Sequence, residues 1–195
     1  MLRDCVWIAC TLRMDRPGCW KQASGMPTPN SIMSVTQPDA ATILHLDSIA
    51  QDLLRSTIPA RLAYVWRDGT PRVIPMWFHW TGQELLMGAP PNAPKMKALG
   101  VQPKIALTID STDWPYGLLS VRGSASFDLV EQPLSETFPE YGLMARRYLG
   151  EIGGQEFLRG LQQRFSHWAR ITLRPEDVRI LDFTQRFPSA WSRAA

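Results

Sequence analysis

The sequence predicts a mainly β domain, an antiparallel barrel with flanking helices. Six or seven short runs rich in β-branched and aromatic residues follow one another, mostly joined by short turns. Helical patterns occur at only three places and do not alternate with the strands, as they would in a parallel α/β fold. The sequence contains neither Gly-x-Gly-x-x-Gly nor a P-loop, so it does not support a Rossmann or nucleoside-triphosphate-binding fold.

Composition limits the classes of protein to which the chain can belong. It has 195 residues, of which 45% are hydrophobic and 20% charged, which is enough apolar material for the core of one domain. The formal net charge of +3 is not concentrated in a basic run, so we expect no nucleic-acid partner. No stretch approaches the ~18 apolar residues of a membrane span. The N-terminus resembles a signal peptide only faintly, and we expect a cytoplasmic protein without a membrane partner.

Residues 1–41 are predicted to form a flexible N-terminal arm before a barrel domain at 42–195. The arm is rich in Pro, Ser, Thr, Gln and Asn and shows no sustained periodicity. Its cysteines, Cys5, Cys10 and Cys19, are odd in number and lack a Cys-x-x-Cys pair, which argues against disulfides and a zinc site. Met33 is a candidate natural start, which would leave residues 1–32 outside the natural protein.

Regular structure is predicted to begin near Asp47 with a short amphipathic helix. Asp47 or Ser48 is its expected N-cap, and Ile49, Leu53 and Leu54 share one face.

The clearest hairpin in the chain follows at residues 60–80. Two β-rich runs flank Asp68 and Gly69, a pair preferred in type I′ turns. Pro75 lies inside the second run. Because proline lacks a donor for the strand ladder, this position predicts a sheet edge, a bulge or a ligand contact.

The remaining elements are predicted from the same patterns. Gly100 is expected to close a short helix, and Gly123 to mark a bulge or a close backbone approach in a long strand. In chain order we predict a strand at 84–89, a helix at 91–100, a buried strand at 104–110, a long strand at 114–130, helices near 135–149 and 154–165, and two closing strands at 167–175 and 177–183.

No side chain stands out in the sequence as a catalyst or a metal ligand. There is no Gly-x-Ser-x-Gly, no His-Glu-x-x-His and no paired-cysteine pattern. The histidines, His45, His79 and His167, have no acid or thiol partner nearby in sequence, and an ordinary hydrogen-bonded histidine is the favoured interpretation of His79. We therefore predict no metal site and assign no catalytic residue.

A stiff Pro/Gly loop that runs into two lysines is the main candidate for a binding site. Lys95 stands at the start of the predicted short helix, where backbone N–H groups and an ammonium favour a phosphate. Arg72, just after the Asp-Gly turn, offers a second cation that grips phosphate oxygens with two bonds. Solvated surface charges are the alternative interpretation. The tryptophans at 66, 77, 80 and 114 are candidate walls for a flat ligand, or ordinary core residues.

The order and spacing of these residues resemble those of a known protein family. The segment ARLAYVWRDGTPRVIPMWFHWTGQELLMGAPPNAPKMKALGVQPKIALTID, followed by LLSVRGSASF, resembles the pyridoxamine 5′-phosphate oxidase-like FMN-binding split-barrel family, from about residue 58 to 130. The resemblance implies a homodimer of antiparallel split β-barrels with FMN in a cleft between the subunits. It implies cofactor contacts at Arg72, Val73, Ile74, Pro75 and Met76 along the flavin, at Met87 and Gly88 near the ribityl phosphate, and at Lys95 on the phosphate.

The sequence departs from the family pattern at two cofactor positions and at its end. Pro94 stands where the family often has an arginine, with Lys97 as a replacement, and Leu118 stands where it has a glutamine. The C-terminus lacks the substrate-binding Arg/His segment of the vitamin B6 oxidases, so that activity is not expected. The resemblance implies a flavin-dependent oxidoreductase acting on an unknown small molecule. The alternatives are a deazaflavin-dependent reductase, a non-enzymatic flavin or heme carrier with His79 or His167 as the axial ligand, and a plain dimeric scaffold.

Overall fold

A computed structural model of the chain describes residues 39–186. These residues form one seven-stranded antiparallel sheet and six helices. The strands are β1 (Ala60–Val65), β2 (Pro71–Met76), β3 (His79–Trp80), β4 (Leu85–Ala89), β5 (Lys104–Asp110), β6 (Gly117–Glu131) and β7 (His167–Asp182). The helices are α1 (Ala40–Leu46), α2 (Ser48–Arg55), α3 (Pro94–Leu99), α4 (Leu134–Thr137), α5 (Pro139–Arg164) and α6 (Phe183–Arg186).

The sheet curls into a barrel because the chain passes directly from one of its edges to the other. The strand order is β2-β1-β5-β6-β7-β4-β3, so β2 and β3 are the two edge strands. Only Trp77 and Phe78 separate them in sequence, and the Phe78 side chain is fully buried. Alternating side chains such as Leu62, Leu107 and Val121 fill the interior. The predicted antiparallel barrel is confirmed, and Pro75 lies on an edge strand.

The first hairpin turns through three residues rather than the two of a type I′ turn. The Trp66 N–H donates to the Thr70 carbonyl at 2.8 Å, and the Gly69 N–H donates to the Trp66 carbonyl at 2.9 Å. Gly69 has φ of 83°, the left-handed conformation that follows a type I turn in three-residue hairpin loops. The Asp68 carboxylate accepts from the Thr70 N–H at 2.9 Å and holds this longer loop. The type I′ prediction is therefore wrong, although the hairpin itself is confirmed.

The last two predicted strands form one continuous strand, β7, with a bulge opposite Gly123. Arg122 pairs with Asp177 and Gly123 pairs with Pro175, which leaves Glu176 as the extra residue. A Cβ at Gly123 would lie 2.1 Å from the Arg174 carbonyl oxygen, so the predicted close approach at Gly123 is confirmed. The prediction of two strands failed because Pro175 reads as a break in sequence, whereas the bulge lets the pairing continue past it.

Ordered structure begins earlier than predicted, at α1. Asp39 caps this helix, and its carboxylate accepts from the Thr42 N–H at 2.7 Å. Helix α2 follows with the predicted Asp47 cap, which accepts from the Ala50 N–H at 3.0 Å. The rest of the predicted arm, with its cysteines and Met33, lies outside the described residues.

Helix α5 is a hairpin of two arms that meet at Gly150. Gly150 has φ of 76°, which interrupts the helical backbone. A Cβ at Gly154 in the second arm would lie 2.8 Å from the Arg146 N in the first, so the arms pack closely. Beneath them lies a second apolar cluster that includes Phe138, Met144 and Trp168. Between residues 39 and 186, the structure contains no helix that is both long and apolar enough to span a membrane.

Candidate cofactor site

Arg72 differs from every other cation on the described strands in having no carboxylate partner. Six strand cations form ion pairs with Asp or Glu side chains: Arg61, Lys104, Arg122, Arg170, Arg174 and Arg179. The Arg72 guanidinium contacts only the ring of Trp66, with 6.0 Å between Cζ and the ring centroid. The nearby Asp68 is hydrogen-bonded to Thr70; these bonds are the main cause of its lowered pKa, and the charge of Arg72 lowers this pKa further without forming an ion pair. The exposed guanidinium of Arg72 is thus available to an anion.

Lys95 is half-buried and also lacks a carboxylate partner among the described residues. Helix α3 buries Met96, Ala98 and Leu99 in the barrel core, which leaves Lys95 at the margin of the buried face and Lys97 exposed. Burial lowers the pKa of the Lys95 ammonium below its usual range. An anion beside Lys95 would compensate for this loss of hydration. Of the two predicted lysines, Lys95 is the stronger candidate for an anchor.

The fold brings α3 and the beginning of β2 to the same end of the barrel. Helix α3 packs on β1 and leads into the start of β5. Ala63 pairs with Ala106 of β5 and with Val73 of β2, so the start of β5 and the start of β2 flank the end of β1. Arg72 and the lysines of α3 therefore lie on elements at the same end of the described barrel, and their contact with one phosphate stays a prediction.

The other predicted contacts on β2 lie on two opposite faces of the strand. Side chains alternate along β2, so Val73 and Pro75 share the outer face, where both are exposed. Ile74 and Met76 face the interior, and Met76 is buried. Since β2 is an edge strand, its outer margin has no neighbouring strand among the described residues, and its backbone groups there offer hydrogen bonds to a flat ligand.

Met87 and Gly88 are surrounded by protein on their side-chain faces. Met87 is fully buried in the barrel core. A Cβ at Gly88 would lie 2.2 Å from Tyr141 Cε2 and 2.6 Å from Trp168 Nε1, so the absence of a side chain lets the Tyr141 and Trp168 rings pack against the Gly88 backbone. Only backbone atoms of these two residues could meet a cofactor, and their assignment remains a prediction.

Several cavities of the described chain are bordered by residues other than Arg72 and Lys95. One cavity, of about 360 Å³, is lined by His79, Trp80 and Arg147. Burial lowers the pKa of His79, Arg147 lowers it further, and Glu140 acts in the opposite direction. His167 lies elsewhere, and its Nδ1 is 2.9 Å from Ser166 Oγ. Between residues 39 and 186, the structure has no cluster of three potential metal ligands.

Sequence reasoning missed an exposed apolar surface beside α3. Phe127 and Leu129 of β6 and Val101 after α3 remain exposed, and Phe127 Cε1 lies 3.9 Å from where Gly100 would carry a Cβ. This surface adjoins the half of β6 that does not pair with β5. The sequence predicts the strand that contains Phe127 and Leu129, but no local pattern shows that its pairing with β5 ends at Ser124 and leaves these side chains exposed.

The candidate tryptophans are mostly packing residues. Trp77 stacks on Tyr148 with 5.0 Å between ring centroids, and Trp80 packs against the barrel core beside His45. Trp114 lies against Tyr116 and Phe183 at the far end of β6. Trp66, beside Arg72, is the one of these four that adjoins the proposed anchors.

Comparison with known proteins identifies the fold. No protein-family model and no curated protein matches the sequence. Among solved structures, one titled F420 Reductase superposes with a TM-score of 0.52 and 27% identity, over 66% of this chain and 94% of its own. A conserved hypothetical protein from Mycobacterium tuberculosis (TM-score 0.53, 20% identity, 68% of this chain and 81% of its own) has the same fold. HutZ, a heme storage protein from Vibrio cholerae, also has this fold, with a TM-score of 0.51 and 17% identity over 67% of this chain and 90% of its own.

The chain has the fold of the pyridoxamine 5′-phosphate oxidase-like split barrels. The family resemblance and the fold class predicted from sequence are thereby confirmed. In this split barrel, neither of the predicted anchors, Arg72 and Lys95, forms an ion pair with a carboxylate of the described residues.

Proposed function

We propose that this split barrel is an oxidoreductase that holds a phosphorylated flavin-type cofactor, FMN or its deazaflavin counterpart, and acts on a small molecule. The observation that carries the proposal is the unpaired state of Arg72, when all the other cations on the described strands are paired. The half-buried Lys95 adds a second cation whose hydration has been partly removed. Two such groups fit a phosphate ester.

The chain's own residues would bind and orient the cofactor. The Arg72 guanidinium would hold two phosphate oxygens and the Lys95 ammonium a third. Exposed backbone along β2 would meet the polar edge of the ring, while Val73 and Trp66 offer apolar contact. When bound, a cofactor of this class supplies the hydride chemistry at its central ring.

Two observations favour the deazaflavin over FMN. The structure titled F420 Reductase has 27% identity to this chain and is covered over 94% of its length. Pro94 and Leu118 stand where the FMN-binding family pattern has an arginine and a glutamine, so two of its contacts are missing.

We also propose that the split barrel works as a homodimer. The outer face of the sheet carries the small residues Ala63 and Ala106 between the exposed Val65 and Val73. Ion pairs such as Arg122 with Asp177 border this surface. A second copy on this face would cover apolar surface and exclude water from the adjoining β2.

Removal of either anchor tests the cofactor assignment. Arg72→Ala and Lys95→Ala should each weaken cofactor binding by about 1.5–3 kcal/mol, because each removes a charge-assisted hydrogen bond. Titration of FMN and of F420 into purified protein, followed by fluorescence, measures both affinities. Arg174→Ala is the matched control, since Arg174 is a strand arginine already paired with Glu84.

Absorbance of the same samples separates the alternatives. If both anchor variants retain wild-type affinity, or if only heme binds and gives a Soret band, the assignment is wrong. Binding of FMN but not F420 would reverse the preference for the deazaflavin and leave Arg72 and Lys95 as anchors.

A further inference from the structure

A second cavity lies away from the proposed cofactor site, across the helical hairpin α5. Its volume is about 400 Å³, within the range of small-molecule sites. Helix α4 and both arms of α5 border it, with Arg146 on the first arm and Arg159 on the second. A Cβ at Gly142 on the first arm would lie 3.8 Å from Leu158 Cδ1 on the second, so the two arms are close together here.

The cavity is lined by two arginines and by no carboxylate. The Arg159 side chain has no hydrogen-bond or ion-pair partner among the described residues. Arg146 has only a loose pair, with 3.7 Å between its Nε and Glu151 Oε2 and both side chains exposed. The residues that line the cavity therefore carry a net positive charge, although Glu151 lies near Arg146 and accepts from Gln155, and both guanidinium groups have donors available.

Gln132 adds an oriented donor at the same cavity. Its Oε1 accepts from the Leu134 N–H at 3.1 Å, which fixes which end of the amide is oxygen. Its Nε2 is buried and has no hydrogen-bond partner. A buried amide donor without an acceptor is costly, and an acceptor-rich ligand would satisfy it.

We propose that this cavity is a binding site for a small oxyanion, a metabolite carrying a phosphate or carboxylate group. The anion would lie between Arg146 and Arg159, with the Gln132 amide as a further donor. Leu134 and Leu158 would contact the apolar part of the ligand. The site joins the two arms of α5 and shares no residue with the cofactor site.

Inorganic phosphate and succinate are the probes, titrated calorimetrically at matched ionic strength. We expect at least one of them to bind wild-type protein, and Arg159→Ala to weaken its binding about tenfold or more, through loss of a charge-assisted bond. Arg164→Ala is the matched control, because Arg164 is an exposed arginine on the same arm that lines a different cavity. It should bind like wild type. The phosphate and succinate arms distinguish a phosphate ligand from a carboxylate.

The double variant Arg72→Ala/Lys95→Ala separates this site from the cofactor site, which also attracts phosphate. Phosphate binding that survives in the double variant and disappears in Arg159→Ala supports the proposal. Equal binding by Arg159→Ala and Arg164→Ala, or no binding of either probe to wild type, overturns it. Loss of phosphate binding only in the double variant likewise overturns it and assigns the anion to the cofactor site.

Discussion

Half-buried cations in this protein fall into two kinds, according to whether the protein itself supplies their partners. Arg147 donates to the Leu54 carbonyl at 2.9 Å, to the Phe78 carbonyl and to the Tyr148 hydroxyl, and thereby ties α5 to α2 and to the β2–β3 link. These hydrogen bonds within the protein account for the half-buried position of Arg147. Lys95 has no such partners among the described residues, so its partial burial is better explained by a ligand that the chain does not provide.

The lowered pKa of Lys95 predicts how cofactor binding depends on pH. Burial favours the neutral amine, so Lys95 loses its proton at a lower pH than an exposed lysine. A bound phosphate favours the Lys95 ammonium and raises the pKa of Lys95. At a pH where Lys95 of the free protein has lost its proton, cofactor binding therefore takes up one proton. Cofactor affinity should therefore fall as the pH rises through the lowered pKa, below the usual range of lysine, as measured by fluorescence titration at a series of alkaline pH values.

Two arginine variants check that Lys95 is the titrating group. Lys95→Arg keeps its charge over this range and should flatten the profile. Lys97→Arg, at an exposed position on the same helix, should show the same decrease in cofactor affinity with rising pH as the wild type. A profile that is unchanged in Lys95→Arg would remove Lys95 from the phosphate contact.

At the scale of single elements, glycines mark where two backbones come close. Gly123 in β6 and Gly154 in α5 both have backbone atoms of another segment where a Cβ would be. The sequence predicted a bulge or a close approach at Gly123, because a glycine inside a strand pattern is unusual. It did not mark Gly154, because the contact depends on the fold-back of α5 at Gly150.

Two glycines on the second arm of α5 give opposite predictions. Gly154→Ala should lower the free energy of unfolding by about 1–3 kcal/mol, since its Cβ would lie 2.8 Å from the Arg146 N and force the arms apart. Gly160→Ala should raise it by up to about 1 kcal/mol, since nothing lies within 4 Å and alanine favours the helix. Urea unfolding midpoints at constant slope measure both. Equal effects of the two substitutions would contradict the packing of the arms.

At the scale of the barrel, the described residues leave the outer face of β2, β1 and β5, and the edge at β2, without a covering helix or strand. Val73, Ala63 and Ala106 lie side by side across β2, β1 and β5 on this outer face. No helix of the described chain has more than a few contacts with β2, whose main packing partner is β1. The proposed dimer would supply the missing cover.

The dimer proposal predicts an effect of one charge on this face. Ala106→Arg should shift the protein toward a single-chain species in sedimentation velocity, because it places a second cation beside its strand neighbour Arg122 in a surface that must become dry. Cofactor binding should weaken in parallel if the cleft lies between subunits. Ile152→Arg, at an exposed position on α5, is the control and should sediment like wild type. A wild-type protein that sediments as one chain would refute the dimer.

The sequence by itself predicted the antiparallel barrel and the first hairpin, because both depend on alternation. It limited Pro75 to an edge, a bulge or a ligand contact, and Gly123 to a bulge or a close approach, because each depends on the backbone limits of one residue. It also selected Arg72 and Lys95 as anchor candidates. Only the tertiary structure decided which cations are paired, since Arg174 finds its partner Glu84 at a separation of 90 residues. The continuity of β7 past Pro175, and the cavity between Arg146 and Arg159, likewise depend on contacts between distant segments, which no local pattern encodes.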